Sequence, residues 1–134
     1  MNISCFDDLL TAAREQTEPQ RLLFVFAGAE LADDSTPEQR ERFDAGEGGA
    51  LVPMMSVDKS PDDIVDFQTL ANESQQFDKP WVLVFVAALS GRNGAPALAA
   101  DVDQALERMT EAIRTGSLSA FIPFDREGQT VQFA

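Results

Sequence analysis

The stretch Trp81-Val82-Leu83-Val84-Phe85-Val86-Ala87-Ala88-Leu89 runs directly into Ser90-Gly91-Arg92-Asn93-Gly94-Ala95-Pro96. An apolar run with no polar alternation marks a strand covered on both faces. The glycines, Asn93 and Pro96 mark its end and a turn. Good helix formers follow in ALAADVDQALERMTEAIR. There Leu98, Val102, Ala105, Leu106, Met109 and Ile113 fall on one face at helical spacing. Strand, loop and helix in this order point to an α/β chain.

Working outward, a second apolar run, Arg21-LLFVFAG, predicts another central strand. ALVPMM at 50–55 and AFIPF at 120–124 predict shorter strands. Each contains a proline, which removes a ladder donor and places the strand at an edge or a bulge. Asp125-Arg126-Glu127-Gly128 reads as a turn before a last strand at 129–133.

Helix starts are marked by capping patterns. Ser4 with Asp7, Thr36-Pro37 with Gln39, and Ser60-Pro61 with Asp63 each supply an acceptor for free helical N–H groups. These predict helices over 4–16, 36–45 and 60–76, with the fourth over 97–115. Gly46 and Gly116 stand where helices stop. The expected fold is a single domain over 1–134. It is α/β, with one mixed sheet of about five strands packed with about four helices.

The order helix, strand, helix, strand occurs twice. Leu22-Leu23-Phe24-Val25-Phe26-Ala27 lies over Val82-Leu83-Val84-Phe85-Val86-Ala87. Ala50-Leu51-Val52-Pro53 lies over Ala120-Phe121-Ile122-Pro123, and Gly46 lies over Gly116. The longer helix of the second half absorbs the difference in spacing. This pattern predicts an internal pseudo-repeat with halves at about 1–58 and 59–134.

Composition narrows the chemistry. The chain of 134 residues is 44% apolar and holds one cysteine, Cys5, with no histidine and no tyrosine. Ser-His and Cys-His pairs and histidine-ligated metals are excluded. Cys5 cannot form an internal disulfide. Its place in the first turn of a helix can favour the thiolate, but no histidine or nearby lysine supports a reactive role. A net charge of −13 with only two lysines, Lys59 and Lys79, disfavours nucleic acid and anionic membranes and suits a basic protein partner. No apolar run reaches membrane length, and MNISCFDDLL lacks the features of a signal peptide, so a cytoplasmic location is expected.

The candidate ligand site is the loop Ser90, Gly91, Arg92, Asn93 and Gly94. It follows a central strand, where open α/β sheets bind ligands, and Arg92 and Asn93 can face an anion. It matches neither the P-loop nor the GxGxxG fingerprint. The competing reading is a surface turn with Asn93-Gly94 at positive φ. The matching loop of the first half, AGAELADDST, is acidic. Among the carboxylates, Asp7-Asp8 and Asp62-Asp63-Asp66 lie at helix starts, and Asp33-Asp34 can meet Asp101-Asp103 only if the two strand-end loops are neighbours. None has EF-hand spacing, and no metal or cofactor is predicted. The glycines at 46–49 lack the basic residue and helix start of a phosphate cradle.

Taken together, EPQRLLFVFAGAEL, GGALVPMMSVDKSPDD, VFVAALSGRNG and SLSAFIPFDREGQ resemble a group of short proteobacterial proteins commonly labelled "ribonucleotide reductase subunit alpha". The resemblance covers nearly the whole chain and implies a bacterial, cytoplasmic protein. It transfers no catalytic residue, because that reductase needs several cysteines on a much larger barrel. The leading expectation is a non-enzymatic protein-binding or regulatory module. The alternative is a binder of, or enzyme on, a nucleotide or phosphate ester, using loops 29–36 and 90–96. A further option is a homodimer joined through the edge strand 129–133.

Overall fold

A computed structural model describes residues 3–30, 35–44, 50–75 and 81–131. The elements run α1 (Phe6–Arg14), β1 (Gln20–Glu30), α2 (Pro37–Asp44), β2 (Ala50–Lys59), a 3-10 turn (Pro61–Asp63), α3 (Phe67–Ser74), β3 (Leu83–Ser90), α4 (Ala99–Thr115) and β4 (Ile122–Phe124). The class is α/β, as expected. Among the described residues no helix is long and apolar enough to cross a membrane.

The sheet has four strands in the order β2-β1-β3-β4, and every neighbouring pair is antiparallel. This corrects the expectation of a mixed sheet of about five strands. A continuous apolar strand reports burial on two faces and carries no information about direction. At the expected last strand, Gln129 and Thr130 form only isolated bridges, to Cys5 and to Phe124. Residues 132–134 lie outside the described residues.

Both faces of the sheet are covered, so the side-chain alternation of each central strand feeds two cores. Leu22, Phe24, Phe26, Val84 and Val86 face α1 and α3, together with Phe6, Phe67, Trp81 and Phe124. Leu23, Val25, Ala27 and Phe85 face α4 through Val102, Met109 and Ile113. In the first core Phe6 sits edge-on to Phe67 and Phe124, with centroids 5.2 and 5.5 Å apart. The buried Trp81 donates its indole N–H to the Ser74 hydroxyl at 2.7 Å, so neither polar group is left unpaired.

Both proline-bearing strands are the outer ones, where a missing ladder donor costs least. The register between β1 and β2 shifts after Phe26, which pairs with Met55 while Ala27 pairs with Pro53. Met54 is the extra residue, and the bulge turns both Met54 and Met55 toward the first core.

Thr36 and Gln39 form the predicted capping box. The Gln39 N–H donates to Thr36 Oγ1 at 3.2 Å, and the Thr36 N–H to Gln39 Oε1 at 2.8 Å. Gly116 ends α4 at φ 84°, and the Ser117 N–H closes the turn on the Ala112 carbonyl. Gly46 lies outside the described residues. Ser4 is answered by Asp8 rather than Asp7, and the cap position of α1 is Cys5.

The helix expected over 60–76 is two elements. Ser60 caps only the 3-10 turn, the chain then extends, and Asp66 caps α3 by accepting from the Thr69 N–H at 2.8 Å. Arg14 bridges the break, donating to the carbonyls of Pro61 and Ile64 at 3.1 Å each.

Candidate functional site

Antiparallel pairing decides where loops can meet. Gln20 lies opposite Ser90 and Ala27 opposite Leu83, so β1 ends at the far edge of the sheet from the end of β3. The loop entered from Ala29-Glu30 and the loop 90–96 therefore leave opposite ends. Strand-end loops share one side only where strands run parallel. Asp33 and Asp34 lie outside the described residues. Among the described residues no group of three carboxylate or thiol side chains is placed to hold a metal.

Ser90 to Pro96 fold as a tight two-residue hairpin turn. Asn93 and Gly94 take φ values of 54° and 78°, and Arg92 and Ala95 exchange both backbone hydrogen bonds at 3.0 and 2.9 Å. This is the left-handed pair that two-residue hairpins require. Gly91 has a different reason. A methyl there would land on the Ala95 carbonyl oxygen, so only glycine lets the two backbone arms approach.

The turn spends most of its donors on the protein itself. The Gly91 N–H donates to the Pro19 carbonyl at 2.8 Å, and the Gly94 N–H to the Glu18 carboxylate at 2.8 Å. The Ser90 hydroxyl accepts from Gln20 at 3.1 Å. A phosphate cradle needs convergent free N–H groups. Here the N–H groups of Gly91, Arg92, Gly94 and Ala95 all have protein acceptors, and the side chains of Arg92 and Asn93 are left to reach outward.

An open cleft of about 690 Å³ lies between this turn and α4. Ser90, Gly91 and Arg92 line it, whereas Asn93 and Gly94 stay at the tip of the turn outside it. Its apolar wall is Leu89, Ala95, Pro96 and Ala97. From α4 come Asp101, Gln104, Ala105 and Arg108, spaced so that one helical face looks into the cleft.

Leu98 lines the rim and departs from expectation. It was expected on the buried face with Val102, Met109 and Ile113. It instead occupies the N-cap of α4 in extended backbone and is 70% exposed. Its side chain makes no capping hydrogen bond, which leaves orphan N–H groups at the helix start.

Arg108 is the cleft residue that sequence reading overlooked. Its signal was its spacing from Asp101 and Gln104 on one helical face, which is informative only once that face is known to border a loop. The acidic starts of α1 and α3 serve the fold. Ser4 donates twice to Asp8 and Thr69 twice to Asp66, and these bonds hold both carboxyls below their ordinary value. No protein-family model matches the chain, and neither a curated protein nor a solved structure matches it.

Proposed function

We propose that the protein is a non-enzymatic, cytoplasmic protein-binding module that docks its partner in the cleft between the 91–96 turn and α4. The observation that carries this reading is Leu98. Leucine is among the poorest N-cap residues, and serine or asparagine there would satisfy a helix donor. The position gives up that bond and holds a large apolar side chain in solvent at the mouth of a cleft. Exposed apolar side chains at a concave, mixed-polarity surface are the usual anchors of protein contacts.

The test is affinity capture from cytosol with wild type and with Leu98→Ser side by side. The reading expects a reproducible partner that the variant fails to retain while its fold stays intact by circular dichroism. Equal retention by both proteins contradicts it.

A second reading is supported by Arg92 and Arg108, which suit a phosphate or carboxylate on a small ligand. It expects a thermal shift with a nucleotide or phosphate ester that Arg92→Ala reduces. No shift across a broad panel removes it.

We also infer that the halves 1–58 and 59–134 are a duplicated unit. Val25 and Phe85, which match in the repeat, pair directly with each other, as a two-fold axis normal to the sheet requires. The two halves also take mirrored places in the strand order. The proline matches are looser, since Pro53 pairs with Ala27 but Pro123 with Phe85. Related sequences whose halves align no better than unrelated strands would contradict the duplication.

A further inference from the structure

We propose that the segment received by this cleft presents carboxylates beside apolar side chains, an inference that rests on the docking reading above. The sequence holds 23 acidic and 10 basic residues, so a cation can readily find a partner. Most do. Arg21 pairs with Asp58 at 2.7 Å, Lys59 with Glu73 at 2.9 Å and Arg114 with Glu111 at 2.9 Å. Arg14 binds two carbonyls, and Arg126 lies over the Trp81 ring at 5.3 Å.

The side chains of Arg92 and Arg108 have neither an ion pair nor a hydrogen bond among the described residues, and both border the cleft. Arg42 also lacks an ion pair and a hydrogen bond among the described residues, but it lies on the exposed α2 and does not line this cleft. Among the residues that line the cleft, two arginines stand against one aspartate, Asp101, in a chain whose net charge is −13, while the Glu18 carboxylate is held outside the lining by the Gly94 N–H at 2.8 Å. The lining itself carries the sign opposite to that of the whole molecule.

Range decides which sign the partner meets. At physiological salt the screening length is about 8 Å, so acids on the far side of the molecule contribute little within the cleft. Close guanidinium groups dominate, and they take carboxylates through two parallel hydrogen bonds. A basic segment would set its cations against both arginines, which carries a like-charge penalty. A free phosphate would satisfy the arginines but leave Leu98 and Pro96 uncovered, forgoing the apolar burial the rim offers. A segment with both features satisfies the whole surface.

The test is fluorescence anisotropy on the full chain at physiological salt. The probes are three fluorescein-labelled peptides in which leucine alternates with glutamate, lysine or glutamine. The leucine–glutamate peptide is expected to bind at least about tenfold tighter than the glutamine peptide, the gain of a charge-assisted contact over a neutral one. Arg92→Glu combined with Arg108→Glu is expected to move the preference to the lysine peptide. Leu98→Ser is expected to weaken the glutamate peptide while leaving the order of preference unchanged.

If the lysine or glutamine peptide binds wild type as tightly, and Leu98→Ser weakens it, the carboxylate inference falls and the docking reading stands. Displacement of the acidic peptide by inorganic phosphate at equal concentration makes the cleft a small-anion site and overturns the inference. Binding that no cleft substitution affects overturns both.

Discussion

The backbone N–H of Gly94 donates to the Glu18 carboxylate at 2.8 Å, tying the tip of the hairpin turn to the segment between α1 and β1. A loop that reads in sequence as a possible anion grip thus uses an outward amide on one of the chain's own acids. Glu18→Ala frees that amide. Its hydrogen exchange is expected to quicken, while global stability changes by less than about 1 kcal/mol because the contact is exposed. Unchanged exchange at Gly94 would show that the bond does not persist in solution.

The two glycines of the turn separate close approach from backbone conformation. At Gly94 a methyl meets open space, and the cost of Gly94→Ala comes from φ 78° alone, about 1 kcal/mol. At Gly91 the methyl meets the Ala95 carbonyl, and the arms must separate, at roughly 1–3 kcal/mol. Denaturant titration of both variants is expected to rank Gly91→Ala as the more damaging. The reverse order would contradict the hairpin geometry.

Leu98 offers a substitution whose effects on stability and binding have opposite signs. Leu98→Ser supplies the missing cap acceptor and is expected to stabilise the protein by roughly 0.5–2 kcal/mol. It also removes the apolar rim of the cleft and is expected to weaken partner binding. Loss of both stability and binding would mean that Leu98 is simply part of the core.

The cap of α3 sets an acid dependence. The Thr69 N–H, and then the Thr69 hydroxyl, hold the Asp66 carboxyl below its ordinary 3.8. A carboxyl lowered in the folded state adds stability that is fully present above its unfolded pKa and is lost as pH falls through the folded one. Asp66→Asn keeps a cap and does not titrate. The melting temperature of wild type relative to this variant is expected to stay level from neutral pH down to the ordinary carboxyl range, then to drop. A difference that grows as pH falls would have the wrong sign.

Much of the fold is legible in the sequence, for identifiable reasons. The central strands appear because burial on two faces removes polar residues from Leu22 to Ala27 and from Val84 to Val86. The capping box at Thr36 and the stop at Gly116 are local hydrogen-bond patterns that tertiary contacts leave intact.

Strand direction is not legible, because an antiparallel strand under two helical layers has the same composition as a parallel one. That ambiguity carries into the site. With parallel strands the loops after β1 and β3 would be neighbours, and the antiparallel pairing of Gln20 with Ser90 sends them apart. The break at Ile64 to Asp66 was masked by the stronger-looking Ser60-Pro61 signal, although Asp66 and Thr69 already formed a capping pattern. Of the cleft, Ser90, Gly91 and Arg92 are visible as a loop after a strand. Arg108 is not, since nothing local joins it to Arg92.

The most direct test of the docking account is a chemical-shift map of the ¹⁵N-labelled full chain titrated with the leucine–glutamate peptide. The account predicts perturbations gathered at Ser90 to Leu98 and at Asp101, Gln104, Ala105 and Arg108, with α1 and α3 undisturbed. Perturbations centred on β2 or α3, or none at saturating peptide, would contradict it.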